Sequence, residues 1–220
     1  LLGKGYIHPF PSPGSPYYTP VDELPPETAV LYSGDKELAK QILAEQGYPN
    51  GFKTKMYFKP SEARGADCAA FVESEWAKIG IEVEMIGMEQ TIRESLRFSR
   101  DFDGVYVRSD ANGATTELPQ RKTECASLAS SWNNAEFDAM LDKAQRMVDA
   151  EERTKLLKEA AVLFIHEVGN INMPAGMMYW WWWPWVNNYY GEEELGYGNQ
   201  QPCINTLWID QGLKKEMGYK

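Results

Sequence analysis

The chain has 220 residues, of which 43% are hydrophobic and 25% charged, the proportions of a globular fold with a sizeable core. Its 22 Lys and Arg are outweighed by 32 Asp and Glu, and the resulting net charge of −10 repels phosphate backbones and disfavours nucleic-acid binding. No apolar run approaches the roughly 18 residues of a membrane-spanning helix, and no HExxH, GxSxG, P-loop or GxGxxG motif is present.

Residues 1–30 are dense in Pro, Gly, Ser and Tyr, which predicts an extended segment. Ile7, Phe10 and the tyrosines argue that it lies packed on a surface. Asp35 then caps a helix with Leu38, Ala39, Ile42 and Leu43 at helical spacing, and Gly47 stops it. After the Tyr48-Pro49-Asn50-Gly51 turn, 53–59 alternates as a strand, with Met56 and Phe58 set against Lys55 and Tyr57. A helix over 61–78 presents Ala66, Ala69, Ala70, Phe71, Val72 and Trp76, and Gly80 ends it. Residues 81–86 form a strand with Ile81, Val83 and Met85 on one face. A helix over 89–99 turns Ile92 and Leu96 inward, and 103–108 is a short strand.

Periodicity is lost over 109–131, a loop long enough to be functional. Two helices follow. The first covers 134–148 with Phe137, Leu141, Ala144 and Val148 inward; the second runs from a cap at Asp149, with Glu152, through Val168. Residues 171–179 read as a strand, and 206–209 as a short one. Strands alternating with helices predict an α/β layer fold, and such sheets bind ligands beyond the carboxyl ends of their strands. The loop after Arg108 starts at such an end.

No catalytic constellation stands out. His8 lies in the Pro-rich segment, and His166 sits near a helix end, where it favours the dipole. Glu192-Glu193-Glu194 and Glu151-Glu152 read as solvated surface. Cys68, Cys125 and Cys203 show no metal-ligand spacing; Cys68 reads as a small hydrophobe within a helix, and a Cys125–Cys203 bridge stays open. The segment Tyr179 to Trp185 holds five Trp among seven residues. Alternation puts Trp180 and Trp182 on one side of an extended chain. The cluster reads as packing, as an indole wall for a ligand, or as a membrane-interface belt, the last weakened by the negative charge.

Asp35 to Phe52 resembles the AKxLLAEAGYPNGF segment of family 5 extracellular solute-binding proteins, the receptors of peptide/nickel-type ABC transporters. In the same order, Trp76 to Val83 resembles that family's LxKIGIxV junction. Asn134 to Asp138 with Leu141 to Ala144 resembles its NPEFDxLLDKA helix, Asp149 to Arg153 its DPEER cap, and Trp185 to Glu192 with Trp208-Ile209-Asp210 its C-termini. The resemblance implies an α/β lobe of the periplasmic-binding-protein type II kind, a mixed sheet flanked by helices. It implies a Pro-rich hinge segment over 1–30, a ligand-binding lobe over 31–180 and an aromatic tail over 181–220 that packs on the lobe or hinge.

The implied role is solute capture outside the cytoplasm, in the periplasm or at a membrane-anchored cell surface, as a lipoprotein or secreted receptor without cofactor, metal or catalysis. The solute is an oligopeptide, an oligosaccharide or a metal chelate. The partners are an ABC-importer permease and an N-terminal lobe lying outside these residues; the start at Leu1-Leu2-Gly3-Lys4-Gly5 reads like the middle of a longer chain. Arg108, Asp110 and Asn112 are the expected polar contacts, and Trp180 and Trp182 the stacking wall. Arg108-Ser109-Asp110 stands where many members carry Trp-x-x-Asp, so Arg108 either meets an anionic ligand group or pairs with Asp110. A protein-interaction module that docks through the aromatic tail is the alternative.

Overall fold

The computed structural model describes residues 5–6, 9–11, 13, 15–107, 132–173, 175–176, 181–191 and 205–219. The chain divides into two compact units, Ile7–Pro174 and a second formed by Leu1–Tyr6 with Ala175–Lys220.

In the larger unit the Pro-rich start is less extended than its composition suggests. A one-turn helix, α1 (Pro26–Ala29), lies between 3-10 turns at Val21–Glu23 and Val30–Tyr32. Pro26 occupies a first-turn position, where a missing N–H costs nothing. Phe10 and Leu24 are buried, so the segment packs as its apolar residues suggest.

Asp35 caps α2 (Lys36–Glu45), its carboxylate accepting from the amides of Glu37 and Leu38. None of the residues of α2 is buried, Ile42 being 49% exposed, so its apolar stripe is only half covered. Strand β2 (Lys53–Phe58) leads into α3 (Ala63–Ala77), β3 (Glu82–Gly87), α4 (Gln90–Ser99) and β4 (Val105–Tyr106). The three strands form a parallel sheet in the order β3-β2-β4.

Register explains both faces of the sheet. Met56 is fully buried, and α3 packs against β2 and β3 with Ala69 buried. The opposite face carries Lys53, Lys55 and Tyr57 beside Glu82, Glu84 and Ile86, with Tyr106 level with Tyr57. Tyr57 is buried there as well, because α4 and Phe102 cover that end: Phe102 lies 6.1 Å from Tyr57 and 5.8 Å from Tyr106. Simple alternation, with only Met56 and Phe58 inward, therefore fails at Tyr57. Phe71, expected on the apolar face of α3, is 55% exposed.

At the amino edge two turns meet closely. Gly51 has φ +75°, and a Cβ there would lie 1.8 Å from the Gly80 carbonyl oxygen. Only glycine permits that crossing, which sets the starts of β2 and β3 side by side.

The main core lies under α5 (Ala135–Arg146) and α6 (Ala150–His166). Asp149 caps α6 as the sequence suggests, accepting from Glu151 and Glu152, and Asn134 caps α5, accepting from the Phe137 amide. Phe137, Leu141 and Ala144 face Leu157, Ala160, Ala161, Phe164 and Ile165. Val148 lies beyond the end of α5 and is 96% exposed, against the expectation that it turns inward. Phe164 is the hub: its ring lies 4.8 Å from Phe10, 5.0 Å from Trp132 and 5.7 Å from Phe137. His166 closes α6, and its Nδ1 lies 3.2 Å from the buried Thr28 hydroxyl.

The smaller unit contains two antiparallel pairs. One joins β1 (Gly5–Tyr6) to β5 (Ala175–Gly176); the other joins β6 (Val186–Asn187) to β7 (Trp208–Ile209). Of the expected strand over 171–179, only Ala175–Gly176 is paired among the described residues. Asp210 caps α7 (Gln211–Glu216), which follows β7. Trp185 is buried, with Trp183 stacked on it at 4.7 Å and Tyr219 at 4.7 Å.

Truncation of the hub, Phe164→Ala, should cost about 3–5 kcal/mol in urea unfolding, since it opens a cavity among three other rings. Gly51→Ala should destabilise by more than about 2 kcal/mol, from strain at positive φ added to a clash with backbone; Gly47→Ala, where a Cβ meets nothing within 4 Å, should cost less in the same assay.

The carboxyl edge of the sheet as candidate functional site

Because β3, β2 and β4 run parallel, their carboxyl ends fall on one edge. Backbone bonds draw the exits together: the Met88 amide donates to the Phe58 carbonyl at 2.9 Å, and the Val107 amide to the Tyr57 carbonyl at 2.9 Å. Helices α3 and α4 both begin at this edge, and their N-cap residues, Glu62 and Glu89, make no side-chain cap bond. Two amino-terminal dipole ends therefore face the place where such sheets receive ligands.

Helix α4 corrects a sequence expectation here. Ile92, expected inward, is 59% exposed, whereas Arg93 and Arg97 are buried. The face that packs is polar because its partners are polar. Arg97 Nε donates to Glu94 at 2.6 Å, and Arg93 lies over the Tyr106 ring at 5.4 Å with Nη1 donating to the Val107 carbonyl at 3.3 Å. The Tyr106 hydroxyl donates towards the Arg93 carbonyl at 3.3 Å, and burial pushes its phenol above the ordinary value.

Val107 is the last described residue before the segment holding Arg108, Asp110 and Asn112, so these three expected contacts lie outside the described residues. Trp180 and the Cys125–Cys203 pair also lie outside them. Trp182 is described: it sits in the smaller unit, 44% exposed, edge-on to Tyr189 at 4.9 Å. Its neighbour Trp181 is 87% exposed. Among the described residues no group of three or more His, Cys, Asp and Glu is arranged to hold a metal ion, and no helix is long and apolar enough to cross a membrane.

A second polar cluster lies towards the start of β4. Asp103 accepts from Lys55 Nζ at 3.1 Å and from the Tyr57 hydroxyl at 3.0 Å. The Lys55 and Tyr57 bonds hold the Asp103 carboxyl below the usual carboxylate range. Burial, then Asp103 itself, raises the Tyr57 phenol.

Parallel strand ends and helix starts on one edge are common to α/β folds, and solved structures identify this one as the type II periplasmic-binding-protein kind. HbpA2 of Haemophilus parasuis superposes with a TM-score of 0.59 at 25% identity, over 76% of this chain and 34% of that one. A dipeptide-binding protein from Pseudoalteromonas sp. SM9913, in complex with Met-Leu, gives 0.62 at 23% identity over 76% and 34%, a likeness of fold.

The family model for "Bacterial extracellular solute-binding proteins, family 5 Middle" matches residues 3–140, and the chain belongs to that family. Heme-binding protein A of Haemophilus influenzae is 33% identical over 175 residues, 76% of this chain and 32% of that protein. The oligopeptide-binding protein OppA of Bacillus subtilis is 27% identical over 160 residues, 70% and 28% respectively. The chain thus spans about a third of the length of these curated relatives.

The depressed Asp103 pKa adds stability above the ordinary carboxylate range, and this is lost as pH falls through the depressed value, below about pH 4. Wild type should therefore lose slightly more stability than Asp103→Asn between pH 5 and pH 3, measured as urea midpoints. The effect is small because the Asp103 side chain is 76% exposed; parallel pH profiles would contradict it.

Proposed function

We propose that this chain supplies the C-terminal lobe of an extracytoplasmic solute receptor that serves an ABC importer. Solute is enclosed between two lobes by hinge closure and presented to the permease, with no chemical conversion. The observation that carries the reading is the family match over residues 3–140. The topology of the larger unit supports it: its parallel strands send their carboxyl ends to one edge.

In this reading Arg108, Asp110 and Asn112 continue from the carboxyl edge as polar contacts, and Trp180 and Trp182 supply a stacking wall. The names of the relatives, haem-binding and oligopeptide-binding, extend the candidate solutes to haem beside oligopeptides, oligosaccharides and metal chelates. Arg108 favours a solute with an anionic group, which haem propionates and peptide carboxylates both offer.

A second reading, a module that docks another protein through the aromatic tail, draws on the exposure of Trp181 and of Tyr190, at 87% and 80%. The two readings separate in one assay. The complete protein that contains this chain is screened by thermal shift against haemin, glutathione, short peptides, oligosaccharides and nickel–histidine. Receptor function predicts that one class raises the melting temperature in a concentration-dependent way, and that Arg108→Ala weakens its binding about tenfold. No shift with any class would overturn solute capture and favour docking; undiminished affinity in Arg108→Ala would remove that residue from the site.

A further inference from the structure

Arg93 is 5% exposed, and its Nε is buried without an acceptor. A guanidinium removed from water is costly unless well paired. Its partners here are numerous but distant. Nη1 donates to the Val107 carbonyl at 3.3 Å and Nη2 to Gln90 Oε1 at 3.4 Å, while the Glu62 and Glu94 carboxylates each lie at 3.7 Å. Strong charge-assisted bonds are nearer 2.7–2.9 Å. An apolar side chain of similar volume would escape the desolvation cost, and replacing buried ion pairs in this way is often neutral or stabilising. Stability therefore gives a weak reason for an arginine at this position.

What the guanidinium does supply is a planar fork touching all three connections that leave the carboxyl edge. Glu62 belongs to the β2–α3 connection, Gln90 and Glu94 to the helix that follows β3, and Val107 to the exit of β4. The Tyr106 ring beneath it closes the arrangement, its hydroxyl reaching the Arg93 carbonyl and, at 3.4 Å, Glu94 Oε1. A lysine ammonium cannot span the same set, because it lacks the flat, multiply donating fork.

We infer that Arg93 is a positioning residue for solute capture at the carboxyl edge: it fixes the exit of β4 at Val107 relative to the other two strand ends. This rests on the solute-capture reading for its functional consequence, while the clamp itself is tested separately. Arg93→Met keeps most of the volume, and Arg93→Lys keeps the charge; each removes the fork.

The experiment makes both variants in the complete protein. It compares melting temperature, hydrogen exchange by mass spectrometry, and calorimetric titration with haemin and with glutathione. The expected result is a melting temperature within about 4 °C of wild type. Exchange over 104–107 should be at least about fivefold faster, with α5 and α6 unchanged. Affinity for the probe that wild type binds should fall about tenfold in both variants. Unchanged exchange over 104–107, rescue of affinity by Arg93→Lys, or a uniform rise in exchange that includes α5 and α6 would each overturn the positioning role. If wild type binds neither probe while the edge still loosens, haem and glutathione capture falls and the clamp stands.

Discussion

The parallel pairing of β2 with both its neighbours is the constraint on which the candidate site depends. A central strand flanked by two parallel partners sends every connection out over the same edge. Glycine at 51 makes the arrangement feasible at the opposite edge, where the turns before β2 and β3 meet at a separation no Cβ permits. Gly104 plays the same part for β4: its φ is +105°, and a Cβ would lie 2.3 Å from the Lys55 carbonyl oxygen. Glycines at 51 and 104 thus set the tight backbone of the amino edge.

The two faces of that sheet are stabilised differently. Under α3, burial of Met56 and Ala69 is apolar and insensitive to pH. Under α4, Tyr57, Phe102 and Tyr106 provide the apolar area, while Arg93, Arg97, Glu94 and Asp103 add directional contacts. Polar packing of this kind contributes less net free energy than the aromatic nexus around Phe164, but it specifies geometry.

Local signals were legible where the stabilising partner is local. Asp35, Asn134 and Asp149 bond amides two or three residues away, so their caps can be read directly from the chain. The α5–α6 core is equally readable, because Phe137, Leu141, Leu157 and Phe164 follow one apolar stripe per helix. The α4 face was not legible, since the groups that make burial of Arg93 tolerable, Glu62 and the Val107 carbonyl, are 31 and 14 residues distant. One clue was available: Arg93 and Arg97 stand one turn apart around Glu94, a helix-face pair adjoining a segment with two aromatic residues, Phe102 and Tyr106. The family resemblance was carried by capping and packing motifs, which identify the scaffold and leave the solute to the loops.

The central claim is that solute meets this lobe at the carboxyl edge of the parallel sheet. A crystal structure of the complete protein with bound solute tests it most directly. The account predicts solute atoms within about 4 Å, contact distance, of residues in 59–62, 88–90 or 107–112. Solute bound with none of these segments in contact, for example against the α5–α6 pair or the Lys53–Glu82 end of the sheet, would contradict it.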